Sequence, residues 1–172
     1  AHIKDVTSYL KWLANPLDEQ AFKRLVLMLP GIGGKTAFKL WGQFLALHAD
    51  TTLLAEVLQQ CEAVPKKAKV PWAQFSATVS QLQSEPVVGD AGQMIELIVE
   101  AGYAEYVEAN YDKAPQRLDD IEQLGVFARQ YETLETFLAE LALLTNVEAE
   151  QDRGGDDDEK IRLSTIHQAK GL

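Results

Sequence analysis

Apolar residues recur three and four positions apart along almost the whole chain, and each run stops at a proline, a glycine or a polar cluster. That spacing lays one apolar stripe along a helix, whereas a half-buried strand would alternate residue by residue. Ile3, Val6, Leu10 and Leu13 predict a first helix, ended by Asn15-Pro16 because proline disfavours helical geometry in the residue before it. Asp18 predicts the N-cap of a helix over 19–29, in which Phe22, Leu25, Val26 and Leu29 share a face. A third helix is expected from about 35 to 47, and a fourth, capped by Asp50, with Leu53, Leu54, Val57, Leu58 and Cys61 on one side. The connector "PKKAKVP" (65–71) leads into a helix holding Trp72, Phe75, Val79 and Leu82, with Pro71 in its first turn. After the loop "SEPVVGD", helices are predicted at 91–101, closed by Gly102, and at 103–110, 116–131 and 134–145. The expected fold class is all-α, and no repeat period appears.

Two stretches break the helical pattern. "NVEAEQDRGGDDDEK" (146–160) has almost no apolar residues and a block of four acids, which predicts a solvated linker. Behind it, "KIRLSTI" alternates and is rich in β-branched residues, predicting one strand over Ile161 to Thr165. A lone strand cannot satisfy its own backbone groups, so this one is expected to join a sheet that the rest of the sequence does not supply. The chain thus reads as a piece of something larger, divided into a helical region over 1–145, a linker over 146–160 and a terminal segment over 161–172.

With 172 residues and 47% hydrophobic content the chain can bury one real core. No stretch approaches the roughly 18 uninterrupted apolar residues of a membrane span, and no signal-peptide pattern opens the sequence, so a soluble protein without a membrane partner is expected. Cys61 is the single cysteine, which excludes an internal disulfide and a Cys-rich zinc cluster and points to a reducing cytoplasm. His2, His48 and His167 are too scattered to suggest a metal site. Net charge is −10, which opposes wholesale binding of a phosphate backbone. Yet residues 1–50 carry six basic and four acidic side chains, a balance of +2, against ten and 22 in the remaining 122. Nucleic-acid contact is therefore expected to be local and confined to the first third.

The glycines of that third stand in "LPGIGGKTAFKLW" (29–41). Gly-Lys-Thr is how an ATP-binding phosphate loop ends, but that loop needs a glycine five places before the one preceding the lysine, where this chain has Leu29. It should also follow a buried strand, and the residues before it are helical in pattern. Helix, Gly-hydrophobic-Gly turn, helix is instead the pattern of a helix-hairpin-helix. Glycines let the backbone approach a DNA phosphate, and free N–H groups of Gly33, Gly34 and Lys35 at a helix N-terminus make an anion site. The Lys35 ammonium and Thr36 hydroxyl add to it, with Gly31 in the turn and Lys39 one helical turn further on. Ile32 is the expected hydrophobic plug. The purely structural alternative is a tight αα-turn whose glycines serve positive φ and close packing. Asp119, Asp120 and Glu122 are expected on a solvated helix face rather than around a metal, and Trp41, Trp72, Tyr103, Tyr106 and Tyr111 in packing rather than stacked on bases.

The C-terminal string "IRLSTIHQAKGL" resembles motif V of superfamily 1 DNA helicases of the UvrD, Rep and PcrA type, a strand leading into Thr-x-His-x-Ala-Lys-Gly-Leu. Thr165, His167, Ala169, Lys170, Gly171 and Leu172 stand at the matching positions. "HIKDVTSYLKWLANPLDEQAFKRLV" resembles the family's IKDxxxYLrxxxNPxDxxAFxRxx segment, and the glycine turn follows where the family has Gly-Ile-Gly, with Leu29-Pro30 in place of the arginine that often precedes it. "RLDDIEQL" resembles RxxNIxEL, with Asp120 where asparagine is common, and "FLAELALLTNVEAE" resembles the helix before motif V.

The resemblance implies a 2B accessory subdomain, a helical insertion in the second RecA-like domain, followed by motif V. It implies contact of the glycine turn with duplex DNA and/or regulation of the motor by this subdomain, contact of Thr165 and His167 with single-stranded DNA, and a place beside the nucleotide for Lys170 and Gly171. The parent protein would use ATP and Mg²⁺ to translocate on single-stranded DNA and unwind duplex, in the cytoplasm at the bacterial nucleoid, with its other helicase domains as intramolecular partners. This piece alone, lacking a Walker lysine loop, an acidic Mg²⁺ motif and an arginine finger, is expected to be inactive. The alternative is a non-enzymatic helix-hairpin-helix DNA-binding or protein-interaction module.

Overall fold

The computed structural model describes residues 1–151, and all its regular structure is helical. The elements are α1 (His2–Ala14), α2 (Glu19–Leu27), α3 (Gly34–His48), α4 (Leu54–Gln59), α5 (Lys69–Leu82), α6 (Ala91–Ile98), α7 (Ala104–Asn110), α8 (Ala114–Ala128) and α9 (Leu134–Gln151). The expected strand over Ile161 to Thr165, the motif V residues and most of the predicted linker lie outside the described residues.

Local rules explain most helix ends. The Asp18 carboxylate accepts the Ala21 N–H at 3.0 Å and starts α2, and Asp90 accepts the Gln93 N–H at 3.0 Å and starts α6. Gly102, at φ 131°, breaks the wider winding over Val99–Tyr103 between α6 and α7. Asp50 does not cap α4. Leu53 occupies that position, and the Leu54 N–H is taken instead by the Gln83 side chain at 2.9 Å, 29 residues away in sequence. The last helix continues six residues past the expected end at 145, because Asn146 to Gln151 contain no proline or glycine to stop it.

The chain divides into two compact units, Thr7–Val88 and Ala1–Val6 with the residues from Gly89 onward. The first has an aromatic centre. Trp12 is fully buried, with ring centroids 5.7 Å from Phe22, 5.4 Å from Phe44 and 6.1 Å from Phe75. Leu25, Val26, Leu40, Trp41, Val57, Leu58 and Val79 close around it. Trp72 fills a further edge and donates its indole N–H to the Leu58 carbonyl at 2.8 Å. Cys61 is buried here, which pushes its thiol up to about 11.

The second unit packs Ile95, Ile98, Val107, Ile121, Leu124, Phe127, Leu134 and Phe137. Its buried polar side chains are partnered: the Tyr103 and Tyr111 hydroxyls both donate to Asp5 Oδ2, at 2.6 and 2.7 Å. His2 sits between Asp120, 2.9 Å from its Nε2, and the Arg117 guanidinium, 2.9 Å from its Nδ1. A guanidinium can only donate, so Nδ1 accepts and the ring proton resides on Nε2, facing the Asp120 carboxylate. Burial lowers the His2 pKa and outweighs the opposing pull of Asp120.

Candidate nucleic-acid interface

The glycine turn lies within the unit Thr7–Val88 and joins α2 to α3. Its first glycine answers a backbone requirement. Gly31 adopts φ 90°, and a Cβ there would approach Lys67 Cγ to 2.9 Å. Ile32 is the plug, 7% exposed and part of the aromatic core.

Gly33 and Gly34 answer no such requirement. Gly33 is the N-cap of α3 at φ −105°, ψ −178°, an extended conformation open to any residue, and Cβ atoms at 33 and 34 would meet nothing within 4 Å. Gly33 has no side chain with which to cap the helix. The first satisfied amide of α3 is that of Ala37, which donates to the Gly33 carbonyl at 2.9 Å. Among the described residues no acceptor meets the N–H groups of Gly34, Lys35 and Thr36. A fifteen-residue helix thus presents three bare donors and the positive end of its dipole at an exposed turn.

The outward face of α3 continues the theme. Lys35 and Lys39 are exposed and Thr36 half-buried, while Ala37, Leu40, Trp41 and Phe44 point into the core. Between the two lysines, Phe38 is 67% exposed, and the Lys23 ammonium lies 5.3 Å from its ring centroid. The other five phenylalanines are buried. Lys23 is also paired with Glu19 one helical turn before it, so Lys35 and Lys39 are the cations beside this ring that meet no carboxylate among the described residues.

Tertiary structure adds a residue that sequence reading passed over. Lys67, on the one-turn 3₁₀ segment Lys66–Ala68, lays its aliphatic stem against Gly31. The signal available in sequence was the basic run of Lys66, Lys67 and Lys69 inside the acidic remainder.

Other residues singled out in the sequence fall elsewhere. Trp41, Trp72 and Tyr103 are buried, and Tyr106 and Tyr111 are half-buried. Asp119 and Glu122 are exposed, Asp120 is taken by His2, and among the described residues no group of three or more His, Cys, Asp or Glu could hold a metal ion. No described helix is long and apolar enough to cross a membrane. Thr165, His167, Lys170 and Gly171 lie outside the described residues.

The glycine turn is not an ATP phosphate loop, because the Gly-Lys-Thr sequence joins two helices rather than a strand and a helix, and Leu29 stands where that loop needs glycine.

ATP-dependent DNA helicase PcrA of Bacillus subtilis (strain 168) is 27% identical over 186 residues, covering 99% of this chain and 24% of that protein. Proteins of the same name from Staphylococcus aureus (strain Mu50) and Staphylococcus epidermidis (strain ATCC 35984) are 25% identical over 183 and 184 residues, again 99% of the chain and 24% of each relative. The chain therefore spans about a quarter of the length of the curated relatives it matches. No solved structure matches. The description "UvrD-like helicase C-terminal domain" matches residues 1–172 without remainder, and the chain belongs to that family.

Proposed function

We propose that this chain is a 2B-type accessory subdomain of a UvrD-like helicase, whose helical region, read from sequence as 1–145, extends through α9 to Gln151 and is followed by the remainder of the linker to 160 and by motif V over 161–172. The glycine turn holds duplex DNA by its phosphates, and through that grip the subdomain steers or regulates the motor. The observation that carries this reading is the start of α3: bare N–H groups of Gly34, Lys35 and Thr36, flanked by exposed Lys35 and Lys39, at two glycines that packing does not require. Such contacts fix position on the duplex without reading its sequence. In the whole protein, Thr165 and His167 contact single-stranded DNA, and Lys170 and Gly171 lie beside the nucleotide. ATP and Mg²⁺ bind elsewhere in that protein, which moves along single-stranded DNA and separates strands in the bacterial cytoplasm, its remaining helicase domains packing with this one.

The test is a fluorescence anisotropy titration of labelled duplex at low salt with the chain and its Lys35→Glu variant. A glutamate in the first turn of a helix is favoured by the dipole, so the variant should fold as well as the parent. Binding should be weak, salt-sensitive and reduced about tenfold or more by the change, as loss of one charge-assisted contact implies. Binding that survives Lys35→Glu unaltered would reject phosphate capture by the turn and leave a protein-interaction role for the subdomain.

A further inference from the structure

The unit Thr7–Val88 contains eight basic and six acidic residues, a balance of +2 in a chain of net charge −10. The acids are not interspersed. None lies between Glu19 and Asp50, and none between Glu62 and Glu85; Lys23 pairs with Glu19, but the basic stretches over 35–39 and 66–69 contain no acidic residue. Folding brings them together at one point, where the Lys67 stem lies against Gly31. Among the described residues no carboxylate lies within ion-pair distance of Lys35, Lys39, Lys66, Lys67 or Lys69. Like charges gathered beside a helix N-terminus repel one another and the dipole, and a polyanion relieves both.

We propose that Lys67 is a second phosphate anchor, so that this unit grips the DNA backbone at two points, the start of α3 and the 3₁₀ turn before α5. The inference rests on the duplex-binding reading above and extends it to a residue far away in sequence. The Gly31 backbone acts as a seat for the lysine stem. With no Cβ at 31, the four-carbon chain can lie flat against the turn, which directs and partly immobilises an otherwise freely rotating ammonium. Lys66, exposed beside it, adds to the local potential.

The salt dependence of affinity counts such contacts, because each neutralised phosphate contributes about −0.9 to the slope of log K against log salt for duplex DNA. Lys67→Gln keeps most of the stem and removes the charge. It should raise Kd several-fold and make the slope shallower by about one unit, with an unchanged melting temperature. Lys113→Gln, an exposed lysine of the other unit, is the control for net charge and should alter neither. If Lys67→Gln leaves slope and affinity unchanged while Lys35→Glu weakens binding, the second anchor is refuted and the turn alone binds. If Lys113→Gln costs as much as Lys67→Gln, the effect is one of overall charge and the anchor is likewise refuted. If Lys35→Glu and Lys67→Gln are both silent, the duplex-binding reading itself fails.

Discussion

Gly33→Ser separates a glycine kept for packing from one kept for a ligand, because the two roles predict opposite signs. Residue 33 caps α3 at φ −105°, ψ −178°, comfortable for serine, and a Cβ there meets nothing within 4 Å. The new hydroxyl would accept from the N–H of Lys35 or Thr36, supplying the cap that α3 lacks. Serine exceeds glycine as an N-cap by only a few tenths of a kcal/mol. Removing a glycine from the unfolded chain adds about 0.4–1 kcal/mol where the native backbone is compatible. Together these should stabilise by about 0.6–1.3 kcal/mol, which for a unit of this size raises the melting temperature by roughly 2–10 °C. The same hydroxyl occupies the donors that a phosphate would need. Losing one charge-assisted hydrogen bond of about 1.5–3 kcal/mol raises Kd for duplex about tenfold or more. Gly31→Ala supplies the contrast: φ 90° costs an alanine about 1–2 kcal/mol, and its Cβ would displace the Lys67 stem, so this variant should melt lower. The assays are thermal unfolding by circular dichroism and duplex anisotropy at one fixed low salt concentration. A Gly33→Ser protein that melts higher and binds as tightly as the parent would refute phosphate capture at the start of α3, and one that melts lower would refute the cap geometry.

Acid should weaken the unit built on Ala1–Val6 and the residues from Gly89 onward. The His2 pKa is lowered on folding, so the unfolded chain takes up the proton first: stability is full above the ordinary value of 6.5 and declines as pH falls below it. Protonation would also turn Nδ1 into a donor facing Arg117. Chemical denaturation at pH 7.5 and 5.5 should show that decline, and His2→Gln should flatten it; an unchanged slope in the variant would remove His2 as its source. Cys61, buried and with its thiol pushed up to about 11, should resist alkylation by iodoacetamide at pH 8 until the fold opens. Rapid labelling of the native protein would contradict its burial.

What could be read from sequence was whatever is decided within about one helical turn. Apolar spacing located the helices, Asp18 marked the start of α2, Asn15-Pro16 the end of α1 and Gly102 the break after α6, because a cap or a stop acts on groups three or four residues away. The Gly31 to Lys39 turn was legible for the same reason. Tertiary packing decided the rest. Asp50 looked like a cap, but Gln83 reaches the α4 N-terminus from 29 residues away. Asp5, an ordinary first-turn acid in sequence, is buried under two tyrosine hydroxyls about a hundred residues distant. Lys67 sits on Gly31 only because α5 and the segment before it fold back against the same core as α2 and α3. Hydrogen bonds and charges at such separations have no periodicity to betray them, since their partners are chosen by how the apolar faces pack and not by spacing along the chain.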